Sequence, residues 1–173
     1  MGNLLADVAV LIALMVATLV ISFRSFRIPI IIAAEGGLSI GLGLAALWSF
    51  GFPFGFMAIL GTMGLVGVAI NDAIVVMAGI RDNPQARAGD VRAMRDVVVS
   101  RSRHVLATSL TTIAGFTPLV LAGGGFWPPL AIAIAGGVGG ATILALYFVP
   151  SLYLLLMSDS TARADATLAG GNV

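Results

Sequence analysis

The chain has 173 residues and a formal charge of +1, and 59% of its residues are hydrophobic against 10% charged. A soluble domain carries about 25% charged residues, so a water-solvated fold is excluded and an all-α, polytopic membrane helix bundle is expected. Cysteine is absent, which excludes disulfides, thiol nucleophiles and Cys-based metal sites.

Apolar runs of about 18 residues or more read as membrane-crossing helices. Five occur, near 5–23, 28–49, 56–80, 104–122 and 128–157. The expected organisation is a helix bundle over 1–157, a cytoplasmic loop over 81–103 and a polar, disordered cytoplasmic tail over 158–173.

The first run, "LLADVAVLIALMVATLVISF", is apolar on all sides, which suits a helix facing lipid or buried in a bundle. Asp7 at its outer end reads as a solvated helix-start carboxylate. No basic segment precedes the run and no small-residue cleavage site follows it, so it does not read as a removable signal. Its abrupt start points to a longer parent.

The second run opens at Pro29, where a missing N–H costs nothing, and carries Glu35 followed by "GGLSIGLG". Gly37 and Gly41 here, Gly61, Gly64 and Gly67 in the third run, and Gly136 and Gly140 in the fifth have spacings that let helices approach closely in lipid. Helix packing is the expected role of these glycines. The third run also holds Asn71 and Asp72.

After it, "RDNPQARAGDVRAMRDVVVSRSRH" predicts a turn at Asn83-Pro84 and a short amphipathic surface helix capped by Asp90. Six arginines lie in this loop, and two more, Arg24 and Arg27, between the first two runs. The other two loops are uncharged, so the positive-inside rule puts the N-terminus outside and the C-terminus in the cytoplasm. That rule accounts for the arginines, and nucleic acid is not an expected partner. Trp48 and Trp127 fall at the outer interface. Pro118 and Pro150, inside the last two runs, free the carbonyls of Ala114 and Leu146 and should kink their helices.

An ionised Asp at a helix centre costs at least about 2.5 kcal/mol in a membrane, so each acid needs a partner, a cavity or a function. At 1.5 Å per residue, Glu35 lies roughly 10 Å and Asp72 roughly 12 Å from the arginine-bearing boundary. Thr111 and Thr112 lie at similar depth, with Thr108 one turn nearer that boundary. Thr108, Thr111, Thr112 and Gly115 share one helix face, while Asn71 points with Gly64 and Gly67 toward a close neighbour. Bonding back to the helix's own carbonyls is the commonest fate of such threonines.

No basic residue shares this layer. Desolvation favours the uncharged acid; a carboxyl that gains and loses a proton here would serve a proton relay, and one that stays protonated would only join neighbouring helices. His104 stands alone and cannot make a metal cluster. No nucleophile–base pair appears, so an enzyme is not expected.

The stretches "FGFMAILGTMGLVGVAINDAIVVM", "RHVLATSLTTIAGFTPLVL" and "PLAIAIAGGVGGATILALYFVPSLYLLL" resemble the C-terminal membrane half of resistance–nodulation–division (RND) efflux permeases, from the eighth to the twelfth transmembrane helix. The resemblance implies a bacterial inner-membrane, proton-coupled exporter of small molecules, multidrug resistance included. It also implies a homotrimer with a periplasmic adaptor and an outer-membrane channel as partners, besides the lipid membrane. Protons are the coupling ion and no bound cofactor is implied. The N-terminal half of such a transporter is expected as a missing partner.

By the same resemblance, Asn71 and Asp72 fall where the family often has lysine followed by asparagine, so the lysine is replaced. The relay threonine maps to Thr108 and a nearby arginine to Arg101. Asp72 would titrate or accept hydrogen bonds, Asn71 would orient it and Thr108 would donate. Glu35 is an added relay candidate to which the resemblance assigns no role. The alternative reading is a non-transporting membrane scaffold or truncated remnant.

Overall fold

The computed structural model describes residues 2–157, with side chains at position 10 and from 13 onward. The expected tail over 158–173 and the side chain of Asp7 lie outside the described residues. The elements are α1 (Gly2–Phe23), α2 (Arg27–Ser49), α3 (Phe56–Asp82), the single turn α4 (Pro84–Arg87), α5 (Val91–Leu121) and α6 (Trp127–Ile143). A wide π-type turn over Leu144–Phe148 carries α6 onward, so the last helical stretch spans Trp127–Met157.

Among the described residues, four helices are long and apolar enough to cross a membrane: α2, α3, α5 and the stretch from Trp127 to Met157. In α1 the described apolar part is the shorter Ala13–Phe23. The architecture is an all-α membrane helix bundle, with α6 packed against α2, α3 and α5.

Two local features depart from the sequence expectation. The amphipathic segment after Asp90 is not a separate surface helix but the start of α5, which continues unbroken for 31 residues. Asp90 caps it, accepting from Arg92 N–H at 2.9 Å. The charged side chains there point outward, while Ala93, Met94 and Val97 sink into the same core cluster as Ile80 and Val105. The burial of that apolar stripe removes the reason for a break.

Pro150 does disturb its helix, and the disturbance sits one turn earlier as the π-type turn. Val149 N–H reaches five residues back to Leu144 O, a wider register that accommodates the proline ring and its missing donor. Pro118 lies within α5 without ending it.

Three apolar clusters follow the bundle from its arginine-bearing end to its uncharged end. The first gathers Ile31, Val76, Met77 and Ile80, the second Leu65, Ala69, Val138 and Ala141, and the third Leu47, Ala58 and Ala133. At the uncharged end, Gly51 takes a left-handed φ of +71° and closes α2, with Phe52 N–H bonding Leu47 O at 3.1 Å.

Candidate functional site

Asp72 sits on α3 between Ala69 of the middle cluster and Ala73 of the first, and is 1% exposed. Glu35 on α2 is 0% exposed. The two helices come close here because Gly36 has no side chain: a Cβ at that position would stand 3.1 Å from Ile70 Cγ1 on α3. The carboxyl groups of Glu35 and Asp72 are near enough to act on one another electrostatically.

Among the described residues, both Glu35 oxygens and Asp72 Oδ2 are buried without a hydrogen-bond partner. The hydroxyls of Ser109 and Thr108, on α5, lie beside the Asp72 carboxyl. Buried polar atoms almost always find a partner. An acid left unpaired in hydrocarbon therefore marks a place where a proton is held or exchanged, or where another group docks.

Ser109 is also a link between helices. Its hydroxyl bonds Val105 O at 2.8 Å and shares a hydrogen bond with the Thr142 hydroxyl on α6. Thr142 in turn donates to Val138 O at 2.9 Å. Both side chains are buried, at 4% and 3% exposure. Hydroxyls both donate and accept, so this pair can answer a change of charge at Asp72 by rotating a proton. Neither residue stood out in the sequence reading, which favoured the neighbouring threonine face. The available signal was Thr142, a lone hydroxyl within the small-residue run of α6.

Of the threonines, Thr108 is half-buried and bonds Val105 O at 2.8 Å, and Thr112 bonds Thr108 O at 2.8 Å. Thr111 is exposed and bonds Ala107 O at 3.0 Å. All three bond back to their own helix, the commonest fate anticipated for them; only Thr108 also lies beside the Asp72 carboxyl.

Other placements need correction. Asn71 is exposed, on the α3 face that also carries exposed Met63, Gly64 and Gly67, so it does not join Asp72 in bridging two helices of this chain. Arg101 is not brought to the acid layer. Its side chain crosses α3 at Gly79, where a Cβ would meet Arg101 Nε at 2.7 Å, and it pairs with Asp82 at 3.9 Å. Gly37, Gly41 and Gly67 face open space, whereas Gly136 and Gly140 meet Ala46 and Leu42 of α2 and Gly64 meets Ile134 of α6. On α2 the close approaches belong to Gly36 and Gly43, one face away from the expected pair. The neighbour's position, not the four-residue spacing, decides which face is used.

Four lipid-length helices around a sealed layer of acids and hydroxyls define the class: a multi-pass membrane protein. The model of the AcrB/AcrD/AcrF family matches residues 2–157. The nickel and cobalt resistance protein CnrA of Cupriavidus metallidurans is 30% identical over 160 residues, covering 90% of this chain and 15% of the relative. The cobalt-zinc-cadmium resistance protein CzcA of the same organism is 34% identical over 116 residues, 65% of this chain and 11% of the relative. The multidrug resistance protein MdtC of Salmonella paratyphi A is 31% identical over 161 residues, 89% of this chain and 15% of the relative. The chain belongs to the AcrB/AcrD/AcrF family of RND transporters. It spans about a seventh of the length of CnrA and MdtC.

Proposed function

We propose that this chain is the acid-bearing membrane segment of a proton-coupled RND exporter of small molecules, acting together with the N-terminal half of that transporter. In this reading the arginine-rich end faces the cytoplasm and the assembly sits in the bacterial inner membrane. The supporting observation is that Glu35 and Asp72 are buried on adjacent helices, with three of their four carboxyl oxygens sealed and unpartnered.

Two carboxylates buried on adjacent helices in a dry site cannot both be charged without a large penalty. A proton held on one of them relieves it. When Asp72 is ionised, the Thr108 and Ser109 hydroxyls donate to it; when it is protonated, one of them accepts instead. Because Ser109 is tied to Thr142, that reversal is felt at the α5–α6 seam. Proton uptake thus becomes a change in how two helices hold each other, which is what a transporter needs to couple an ion to a conformational cycle. Homotrimer formation and docking to a periplasmic adaptor and an outer-membrane channel belong to this same proposal and rest on family membership.

The test is Asp72→Asn in the assembled transporter that contains this chain, reconstituted in vesicles loaded with a pH-sensitive dye. Substrate-driven proton flux should fall at least ten-fold, with the protein still inserted and assembled. Glu35→Gln should reduce flux less, because the Asp72 hydroxyl partners remain. Unchanged flux in Asp72→Asn would return these helices to the role of a scaffold.

A further inference from the structure

At the arginine-bearing end, α1, α2, α3, α4 and the end of the last helix enclose an open cavity of about 460 Å³. Four arginines line it: Arg24 from the α1–α2 turn, Arg27 from the start of α2, Arg81 from the end of α3 and Arg87 from α4. Among the described residues, no carboxylate lines it. The deeper wall is apolar, formed by Ile31, Met77 and Ile80, all 0% exposed. This wall separates the cavity from Glu35, one helical turn further in.

The arginines are oriented, not merely clustered. Arg27 Nη1 donates to Leu156 O at 3.3 Å, and Arg81 Nη1 donates to Ser22 O while its guanidinium lies 5.7 Å from the centre of the Phe23 ring. A guanidinium has five N–H donors, so both keep donors for a ligand. Tyr153 OH donates to Arg87 O at 3.3 Å, tying the turn that carries Arg87 to the last helix. Arg24 holds a left-handed φ of +48°, the described non-glycine residue with positive φ. Glycine or asparagine would sit there without strain, and strained positions gather where a side chain is used.

We propose that this cavity binds the phosphate headgroup of an anionic phospholipid, with the guanidinium groups on the phosphate and the acyl chains along the half-buried side chains of Leu156 and Met157 at its rim. Guanidinium matches phosphate geometry by paired N–H donors. A free phosphate would satisfy the arginines but leave the apolar rim at Leu156 and Met157 uncovered. Basic pockets between helices at the membrane surface are suited to such headgroups.

The proposal is tested by native mass spectrometry of the 173-residue chain from nanodiscs containing equal phosphatidylglycerol and phosphatidylcholine, with circular dichroism as a folding check. The chain should retain phosphatidylglycerol in preference. Each guanidinium removed should lower that preference about five-fold, so Arg27→Gln/Arg81→Gln should lower it about 25-fold. Because those two side chains also hold backbone carbonyls, Arg24→Gln/Arg87→Gln serves as the second variant and should show a similar loss. Arg92→Gln/Arg95→Gln, on the exposed start of α5, should leave the preference within about two-fold. Equal retention of the two lipids would overturn the proposal, as would equal losses in all three variants. Displacement of the lipid by millimolar inorganic phosphate would overturn it in favour of a soluble anion.

Discussion

The helical stretches Val91–Leu121 and Trp127–Met157 are both 31 residues long, yet the most apolar window of the first is 11% buried and that of the second 56%. Along the second, small residues recur on the inward side: Ala131, Ala133, Gly137, Ala141 and Ala145 are buried, beside the larger Ile132, Ile134 and Val138. Along the first, Leu106, Leu110 and Leu121 are exposed. In lipid an apolar side chain gains nothing by leaving the solvent, so dispersion contacts between close backbones decide what is inside. In this bundle small side chains such as Ala133 and Gly137 set how near the helices come, and larger ones such as Leu65 and Val138 fill the space between them.

The largest expected effect comes from spoiling a close approach to α6. At Gly61 on α3, a Cβ would stand 2.7 Å from the Leu130 carbonyl oxygen and 2.8 Å from the Ala133 Cβ. The obstacle is largely backbone, so the helix itself must move. Gly61→Ala should destabilise the purified chain by about 2–3 kcal/mol in an SDS titration from mixed micelles. Gly115 on α5 has nothing within 4 Å of an added Cβ, and Gly115→Ala should be neutral or stabilising by up to about 1 kcal/mol. Equal losses at the two positions would break the contrast between the helices.

This contrast also marks how far the sequence could be read. That Phe56–Asp82 and Trp127–Met157 are helices was legible, because membrane-crossing segments need long apolar runs and these have them. That Glu35 and Asp72 fall at one level of two packed helices followed from counting residues inward. Which face of α2 holds the tight contact did not follow: Gly37 and Gly41 carry the recognised spacing, but α6 packs over Gly43. The continuity of α5 was hidden because six arginines read as a loop, whereas the helix needs only Ala93, Met94 and Val97 to dock. Ser109 was missed for a related reason. Its value depends on Thr142 lying opposite, and that pairing exists only once α5 and α6 are packed together.

An intermediate effect is expected where the two helices meet. Thr142→Val keeps the side-chain volume and removes the hydroxyl that bonds Ser109 and Val138 O. A buried hydrogen bond contributes about 1 kcal/mol net, so a loss of about 1–2 kcal/mol is expected in the same titration. Thr111→Val, at an exposed hydroxyl bonded only within α5, should change stability by less than about 0.5 kcal/mol. A large loss at Thr111 would mean that the outer face of α5 is covered in the isolated chain.

The smallest effect is expected at the other attachment of α5, where Arg101 lies over Gly79 and reaches Asp82. The pair is long, at 3.9 Å, with side chains 43% and 71% exposed. An ion pair in that setting is screened by water and offset by the entropy of fixing two flexible chains, leaving a few tenths of a kcal/mol at most. Arg101→Ala should therefore shift the unfolding midpoint barely beyond error, and Asp82→Asn should match it. What holds α5 at this end is the apolar stripe of Met94 and Val97 against the first cluster; Met94→Ala should cost about 2 kcal/mol or more where Arg101→Ala does not. If the order were reversed, α5 would be an electrostatically tethered helix, and its stability would fall as salt is raised.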